Sequence, residues 1–302
     1  ACDVPSHLYS YSFATDYPWL HRFGHQQEIL AYLTHCVERF SLGAYIRYDQ
    51  QITQARFDNQ DKRWHLQTAS GESYQCRILI PATGQLSRPA IPSLPGLAQF
   101  LGRQFHTARW PDPDQLDNAR VVVIGTGASA IQLVPEIAPR VRHLTLLQRS
   151  APFVIRKPDR PYGPLSQWLF RRLPILVKLH RAWLYTVFEH RVPGFRGAAP
   201  PVMKLLEWNF RRLLRRQIAD PVLRSKLVPD YPMGCKRILL SDDWYPALAR
   251  TNVAVETTAI EQIEGNGVRL KDGRLVEADT LIFATGFQAT NFLAPISVTG
   301  SD

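Results

Sequence analysis

The run Arg120-Val121-Val122-Val123-Ile124, followed at once by Gly125-Thr126-Gly127-Ala128-Ser129-Ala130, constrains this chain more than any other stretch. Short, β-branched and apolar after its first residue, it has the pattern of a strand buried on both faces of a parallel sheet. A G-x-G-x-x-A turn between such a strand and a helix is the arrangement that brings a backbone close to a dinucleotide pyrophosphate. Gly125 permits the tight turn, Gly127 opens the backbone to the phosphates, and Ala130 is small enough for close helix–strand packing. The helix start adds N–H groups and a positive dipole end. A glycine-rich turn of structural origin is the alternative. A helix over GTGASAIQLVPEIA and a second strand, HLTLLQR (143–149), favour the nucleotide.

The end of that second strand selects the cofactor. An NAD site offers Asp or Glu about 20 residues on, to bind the ribose 2′-hydroxyl. Here the strand ends Gln148-Arg149-Ser150, with no acid. A guanidinium at that place suits a 2′-phosphate, which it can grip bidentately. The expected cofactor is therefore NADPH, against a solvated surface role for Arg149.

Elsewhere the periodicity predicts an amphipathic helix over 26–40, with Ile29, Leu30, Leu33, Val37 and Phe40 on its apolar face. A hairpin over 52–58 and 63–69, turning at Asn59-Gln60-Asp61-Lys62, and a strand-like run over 76–84 follow. Pro89, Pro92, Pro95 and Gly96 mark a linker. Residues 165–216 read as a helical subdomain broken at prolines 174, 193, 200 and 201. A last hairpin turns at Asp272-Gly273 and leads into a buried strand. CRILIPATG (76–84) and DTLIFATG (279–286) form a weak repeat, each after a hairpin and each ending in Ala-Thr-Gly. Two such endings suggest two nucleotide-binding domains, one nested in the other.

With 302 residues, 45% hydrophobic and 21% charged, the chain is globular and long enough for more than one core. Its net charge of +10 is concentrated: residues 156–226 carry 16 Lys or Arg against four acids, net +12, which leaves −2 for the rest. No nucleic-acid motif accompanies that excess, so no nucleic-acid partner is expected. Trp168, Leu169, Phe170, Leu173, Leu176 and Leu184, beside Arg171, Arg172, Lys178 and Arg181, fit either a helix lying on an anionic membrane or an insertion packed on the nucleotide domain. The proline breaks favour the packed insertion, with apolar stripe inward, charge in solvent and little membrane contact. No apolar run is long enough to span a bilayer, and the first residues carry no leader pattern. Cys2, Cys36, Cys76 and Cys235 form no Cys-x-x-Cys pair, so neither metal site nor redox dithiol is expected and the compartment should be reducing, that is, cytoplasmic. Nothing in the sequence sets the oligomeric state.

The stretch FLGRQFHTARWP (100–111) contains Phe100, Gly102, His106, Trp110 and Pro111. It resembles the F-x-G-x-x-x-H-x-x-x-W-P fingerprint of Baeyer–Villiger monooxygenases, five fixed positions within twelve residues. N-oxidising flavin monooxygenases are similar but carry Tyr or Phe at the place of Trp110. The resemblance covers nearly the whole chain. Cys2-Asp3-Val4-Pro5-Ser6 with Tyr9, Tyr11, Ser12 and Phe13 looks like the segment after the first flavin loops. Lys236-Arg237-Ile238-Leu239 and Asn252-Val253 look like the active-site arginine region, and Ala284-Thr285-Gly286 like the return into the flavin domain. A flavin-binding G-x-G-x-x-G does not precede Asp3, and the family continues beyond the second Ala-Thr-Gly. The expectation is a segment of a longer enzyme.

The resemblance implies an α/β fold with two dinucleotide-binding, Rossmann-like domains, the NADPH domain nested in the FAD domain, plus a helical insertion. The corresponding division is 1–110 for part of the FAD domain, 111–155 and 227–282 for the NADPH domain, 156–226 for the helical subdomain and 283–302 for the return. It implies FAD contacts at Asp3, Val4, Tyr9 and the backbone near Ile52. NADPH would contact Gly125 to Ala130, Arg149, Ser150 and Lys236, and Arg237 would be catalytic with Asp3 holding it. The implied reaction uses FAD, NADPH and O₂ to turn a ketone into an ester or lactone. The rival readings are an N- or S-oxygenating flavin monooxygenase and a non-catalytic NADP-binding fragment. For Arg237, an ion pair at a domain boundary is the alternative role.

Overall fold

The computed structural model describes residues 2–111, 113–190 and 200–301. The chain forms two compact units: residues 1–34 with 91–285, and residues 35–90 with 286–302. Residues 103–106 are a strand of the first unit's central sheet.

That sheet is wholly parallel and five-stranded, in the order Arg103–His106, Thr280–Phe283, Arg120–Ile124, His143–Leu147, Val253–Glu256. The strand read first in the sequence lies at its centre. Its side chains alternate between two separate cores, as the period-two geometry of a strand requires. Val121 and Val123 face a core built with the Ala128–Ile137, Pro200–Gln217 and Trp244–Leu248 helices. Val122 and Ile124 face a second core shared with a three-stranded antiparallel sheet, Ile260–Glu264, Gly267–Leu270 and Leu275–Glu277. Burial on both faces explains why this run has no polar alternation. At the amino ends of the central strands, Arg120 is paired with Asp279 at 2.7 Å and with Glu277, and the hydrogen-bonded guanidinium holds the Asp279 carboxyl below the usual range.

The second unit is a four-stranded sheet, Ser297–Thr299, Ile52–Asp58, Arg63–Thr68 and Ser73–Cys76. The hairpin and its turn lie where the sequence places them. The run over 76–84 does not form the expected strand: pairing ends at Cys76, and Ile78 and Ile80 are 77% and 81% exposed. Among the described residues no strand lies alongside it, and an extended segment becomes a strand only when a neighbour takes its backbone groups.

Two further expectations are corrected by packing. The helix Gln26–Arg39 buries Tyr32 and Cys36, while Leu30, Leu33 and Phe40 beyond its end are exposed. Tyr32 wins the interior because its hydroxyl bridges the Ala14 carbonyl (3.1 Å) and the Tyr11 N–H (2.8 Å) while its ring packs on Trp19. In the basic segment the helices are Pro164–Arg172, Pro174–Glu189 and Pro200–Gln217, and Pro193 lies outside the described residues. The third helix packs as expected, with Phe210, Leu214 and Ile218 buried in the first core. The first two bury Leu184 and half-bury Leu169, Phe170 and Leu176 as expected, but leave Trp168, Leu173 and Ile175 exposed. Arg181 is not a solvated charge either, since its guanidinium donates to the carbonyls of His7 and Ser10. Among the described residues, no helix is long and apolar enough to cross a membrane.

Phe210 stacks edge-on against Phe153 at 4.9 Å. Phe210→Ala should lower stability by about 3–5 kcal/mol, whereas Trp168→Ala should change it by less than about 1 kcal/mol. Urea unfolding of the two variants measures both.

Candidate nucleotide and active site

The turn after the central strand shows why its glycines stand where they do. Gly125 has φ +109°, and a Cβ there would sit 2.5 Å from the Ala284 carbonyl oxygen of the neighbouring strand's end. Gly127 is the opposite case: nothing lies within 4 Å of a Cβ built on it. It precedes the helix Ala128–Ile137, and no side chain caps that helix. The first N–H groups of a helix have no partner within it, so an open, uncapped start next to Gly127 is a cradle for an anion. Ala130 is fully buried against the strand, as the tight approach requires.

Two more of the expected residues converge on this loop. The Thr126 hydroxyl donates to the Ser150 carbonyl at 3.0 Å, and Lys236 Nζ donates to Ser150 Oγ at 2.8 Å. Lys236 is brought 86 positions back along the chain by a small parallel pair, Val154–Ile155 with Leu239–Leu240. Arg149, adjacent and exposed, makes no ion pair among the described residues. An ammonium bonded to Ser150 and the exposed Arg149 next to it in sequence thus accompany an uncapped helix start. Such a donor set fits a phosphate-bearing ligand.

Arg237 points to a different place. Its guanidinium is paired with the Asp3 carboxylate and stays 65% exposed. Asp3, Val4, Lys236 and Arg237 line a cavity of about 390 Å³ whose other walls include Ile155, Leu206, Met233 and Leu240. Asp3 and Arg237, linked beforehand only by the family resemblance, are thus in contact. Tyr9 is exposed at the end of the short helix Ser6–Tyr9. Ile52 opens the hairpin of the second unit and is half-buried.

The fingerprint residues have a packing explanation. Phe100 is buried in the second core, and Gly102 leaves room for both the Phe100 ring and the Asp279 carbonyl, which a Cβ would meet at 2.4 Å. His106 ends the edge strand opposite Phe283, fully buried, with Nδ1 accepting the Ala108 N–H at 3.1 Å. Trp110 stands edge-on against Phe105 at 4.9 Å, and Pro111 is half-buried. None of the five lines the cavity beside Arg237.

Tyr231 is a residue of the neighbourhood to which the sequence gives no signal, and Gln148 and Asn252 take roles of their own. Lys236 lies 4.2 Å above the Tyr231 ring, and the Tyr231 hydroxyl, its pKa raised chiefly by burial, donates to the Ala151 carbonyl. Gln148 is buried and donates to the Lys226 carbonyl at 2.6 Å. Asn252, grouped by resemblance with the arginine region, instead donates to the Ala138 and Val141 carbonyls and ties the helix end to the sheet. Away from the site, Asp58, Asp61 and His65 bring ligand-type atoms within 4.8 Å of one another. Asp58 and Asp61 are engaged with the backbone N–H groups of Gln60 and Arg63 in the hairpin turn.

The two glycines of the loop should respond oppositely. Gly125→Ala combines a positive φ with a backbone clash and should cost about 1–3 kcal/mol or more. Gly127→Ala meets nothing and should stay within about 1 kcal/mol of neutral. Thermal unfolding of both variants distinguishes the turn glycine from the approach glycine.

A family model described as flavin-binding monooxygenase-like matches residues 4–193. A Baeyer-Villiger monooxygenase of Pseudomonas aeruginosa is 44% identical over all of this chain, which covers 57% of that protein. One of Streptomyces coelicolor is 42% identical, again over the whole chain and 58% of its own length. Among solved structures, cyclohexanone monooxygenase from Rhodococcus sp. Phi1 bound to NADP+ superposes with a TM-score of 0.83 at 28% identity, covering 98% of this chain and 63% of that one. An oxidized steroid monooxygenase bound to NADP gives a TM-score of 0.83 at 30% identity, over 98% of this chain and 64% of its own. The chain thus spans less than two thirds of the proteins it resembles. Its sequence over residues 4–193 and its fold over nearly the whole length place it in the flavin-binding monooxygenase-like family.

Proposed function

We propose that this chain is the nucleotide-binding and arginine-bearing part of a Baeyer–Villiger monooxygenase that uses NADPH and FAD. The observation that carries the reading is the division of labour between two consecutive residues. Lys236 reaches Ser150 beside the glycine loop, while Arg237 pairs with Asp3 at the cavity. One backbone segment thereby ties a phosphate-binding loop to a reaction chamber.

In this reading Gly125 to Ala130 hold the NADPH pyrophosphate, and Arg149, Ser150 and Lys236 hold its 2′-phosphate. Asp3, Val4 and Tyr9 contact FAD from the first unit. When bound, the two cofactors supply the hydride and the oxygen-transferring ring. The balance is ketone, O₂, NADPH and a proton giving ester, NADP+ and water: one oxygen enters between the carbonyl carbon and its neighbour, and the other leaves as water. Arg237 contributes a permanent cation where negative charge develops on oxygen, and Asp3 fixes its direction. Val4, Ile155 and Leu240 give the cavity apolar walls beside that cation. The four free cysteines fit a reducing, cytoplasmic compartment.

NADPH should bind more tightly than NADH by about 2–4 kcal/mol, the worth of one or two charge-assisted hydrogen bonds, and Arg149→Ala should erase most of the difference. Equal affinities in the unmutated protein would remove the 2′-phosphate assignment.

In the protein at its natural length, Arg237→Ala should abolish ester formation and leave flavin reduction by NADPH largely intact. Hydride transfer requires juxtaposed rings, whereas the developing oxyanion requires the cation. Stopped-flow reduction together with product analysis tests it, and ester formation by the variant would take Arg237 out of the mechanism.

A further inference from the structure

A second cavity of about 400 Å³ adjoins the first, sharing Ile155, Phe188 and Leu240 with it. Its remaining apolar lining includes Trp183, Leu184 and Val187 of the helix Pro174–Glu189. Its far rim is polar and carries Arg22, Arg160, Tyr162 and His180. Neither the glycine loop nor Asp3 and Arg237 belong to its lining.

Backbone pairing fixes the two rim arginines side by side. His21 and Pro161 form an antiparallel bridge, the Arg22 N–H donates to the Arg160 carbonyl at 3.1 Å, and the Tyr162 N–H donates to the Leu20 carbonyl at 2.7 Å. The carboxylates lining the same cavity are already engaged. Asp242 pairs with Arg156 at 3.2 Å. Asp159 pairs with Lys157 at 3.3 Å and accepts the Phe23 N–H. Among the described residues, the guanidiniums of Arg22 and Arg160 have no carboxylate partner. The charge of Arg22 is felt at the rim, where it acts with burial to depress the His180 pKa. The Tyr162 hydroxyl, 3.4 Å from His180 Nε2, stays protonated because burial raises its pKa to about 12. A ligand pocket with apolar walls and a few convergent donors at one end selects for a matching amphiphile.

We infer that this second cavity binds the anionic end of an elongated apolar ligand. Resting on the proposed Baeyer–Villiger reading, that ligand is the ketone itself: a keto acid. Its carbonyl lies beside Arg237, its chain runs past Ile155, Phe188 and Leu240, and its carboxylate meets Arg22, Arg160 and the Tyr162 hydroxyl. The geometry assigns substrate class through two arginines remote from the chemistry, in the way that remote contacts set specificity without touching the reacting atoms.

The test compares 12-oxotridecanoate with 2-tridecanone, equal in length but lacking the carboxylate, in the protein at its natural length. Binding of dodecanoate, which has no ketone, is measured separately by calorimetry. Dodecanoate should bind and compete with the keto acid. The ratio of kcat/KM for acid over ketone should fall about tenfold or more in Arg22→Ala/Arg160→Ala and hold better in Arg22→Lys/Arg160→Lys, which keeps the charge. No dodecanoate binding, or an unchanged ratio in the alanine variant, overturns the inference even when both ketones yield esters. Absence of ester from both ketones, with dodecanoate still bound by the native protein and lost in the alanine variant, strikes the reaction reading and leaves the anion-binding cavity standing.

Discussion

The close approach of two strand ends at Gly125 and Ala284 is the constraint on which the first unit depends. The strands Arg120–Ile124 and Thr280–Phe283 run parallel in direct register, Val121 opposite Thr280 and Ile124 opposite Phe283. A side chain at residue 125 would collide with the neighbouring carbonyl, so the turn can leave the sheet tightly only with glycine there. About 155 residues separate the paired strands, and everything between them must return to this seam. Arg120 and Asp279 tie its other end, where the backbone of each also bonds to the other. Parallel neighbours always need such a crossover; here the crossover contains the helical segment and the residues that meet Ser150.

From that seam the site follows as a set of consequences. The strand order turns at the central strand, with His143–Leu147 on one side and Thr280–Phe283 on the other. Open parallel sheets bind ligands at the carboxyl ends of strands around such a point. Gly125, Gly127, Arg149 and Ser150 all lie at those ends. The short pair Val154–Ile155 with Leu239–Leu240 then carries Lys236 and Arg237 to the same edge. In the bend that leads into this pair, Lys236 reaches Ser150 while Arg237 pairs with Asp3. His7, wholly buried among Tyr162, Phe170 and His180, shows how firmly the segment after Asp3 is held against the helices. Burial drives its pKa down to about 4, so it remains a neutral packing group at neutral pH.

Much of this was legible beforehand, for identifiable reasons. The central strand, its glycine loop and the Ala128–Ile137 helix are local patterns, and local steric rules hold wherever the chain places them. The hairpins at 52–68 and 267–277 announced themselves through polar turns between alternating strands. The run over 76–84 was misread because an apolar, β-branched run only permits a strand; the partner decides. The buried face of the helix Gln26–Arg39 differs from the aliphatic spacing because Tyr32, outside that spacing, places its hydroxyl between two backbone partners. The basic helices divided for the same reason. The stripe of Phe210, Leu214 and Ile218 met the sheet's core, whereas Trp168 and Ile175 met solvent.

The sequence by itself determined that a tight glycine turn into a helix follows residue 124, that no carboxylate waits at the end of the next strand, and that positive charge is concentrated in one segment. These are properties of neighbouring residues, written in short-range sterics and charge. Tertiary structure alone decided which distant groups meet: Lys236 with Ser150, Arg237 with Asp3, and Arg22 with Arg160 beneath an apolar wall. Each of those contacts spans 86 residues or more, and no local preference specifies it. It exists because strands distant in the chain pair in one register, and a register is chosen by the burial of both faces at once.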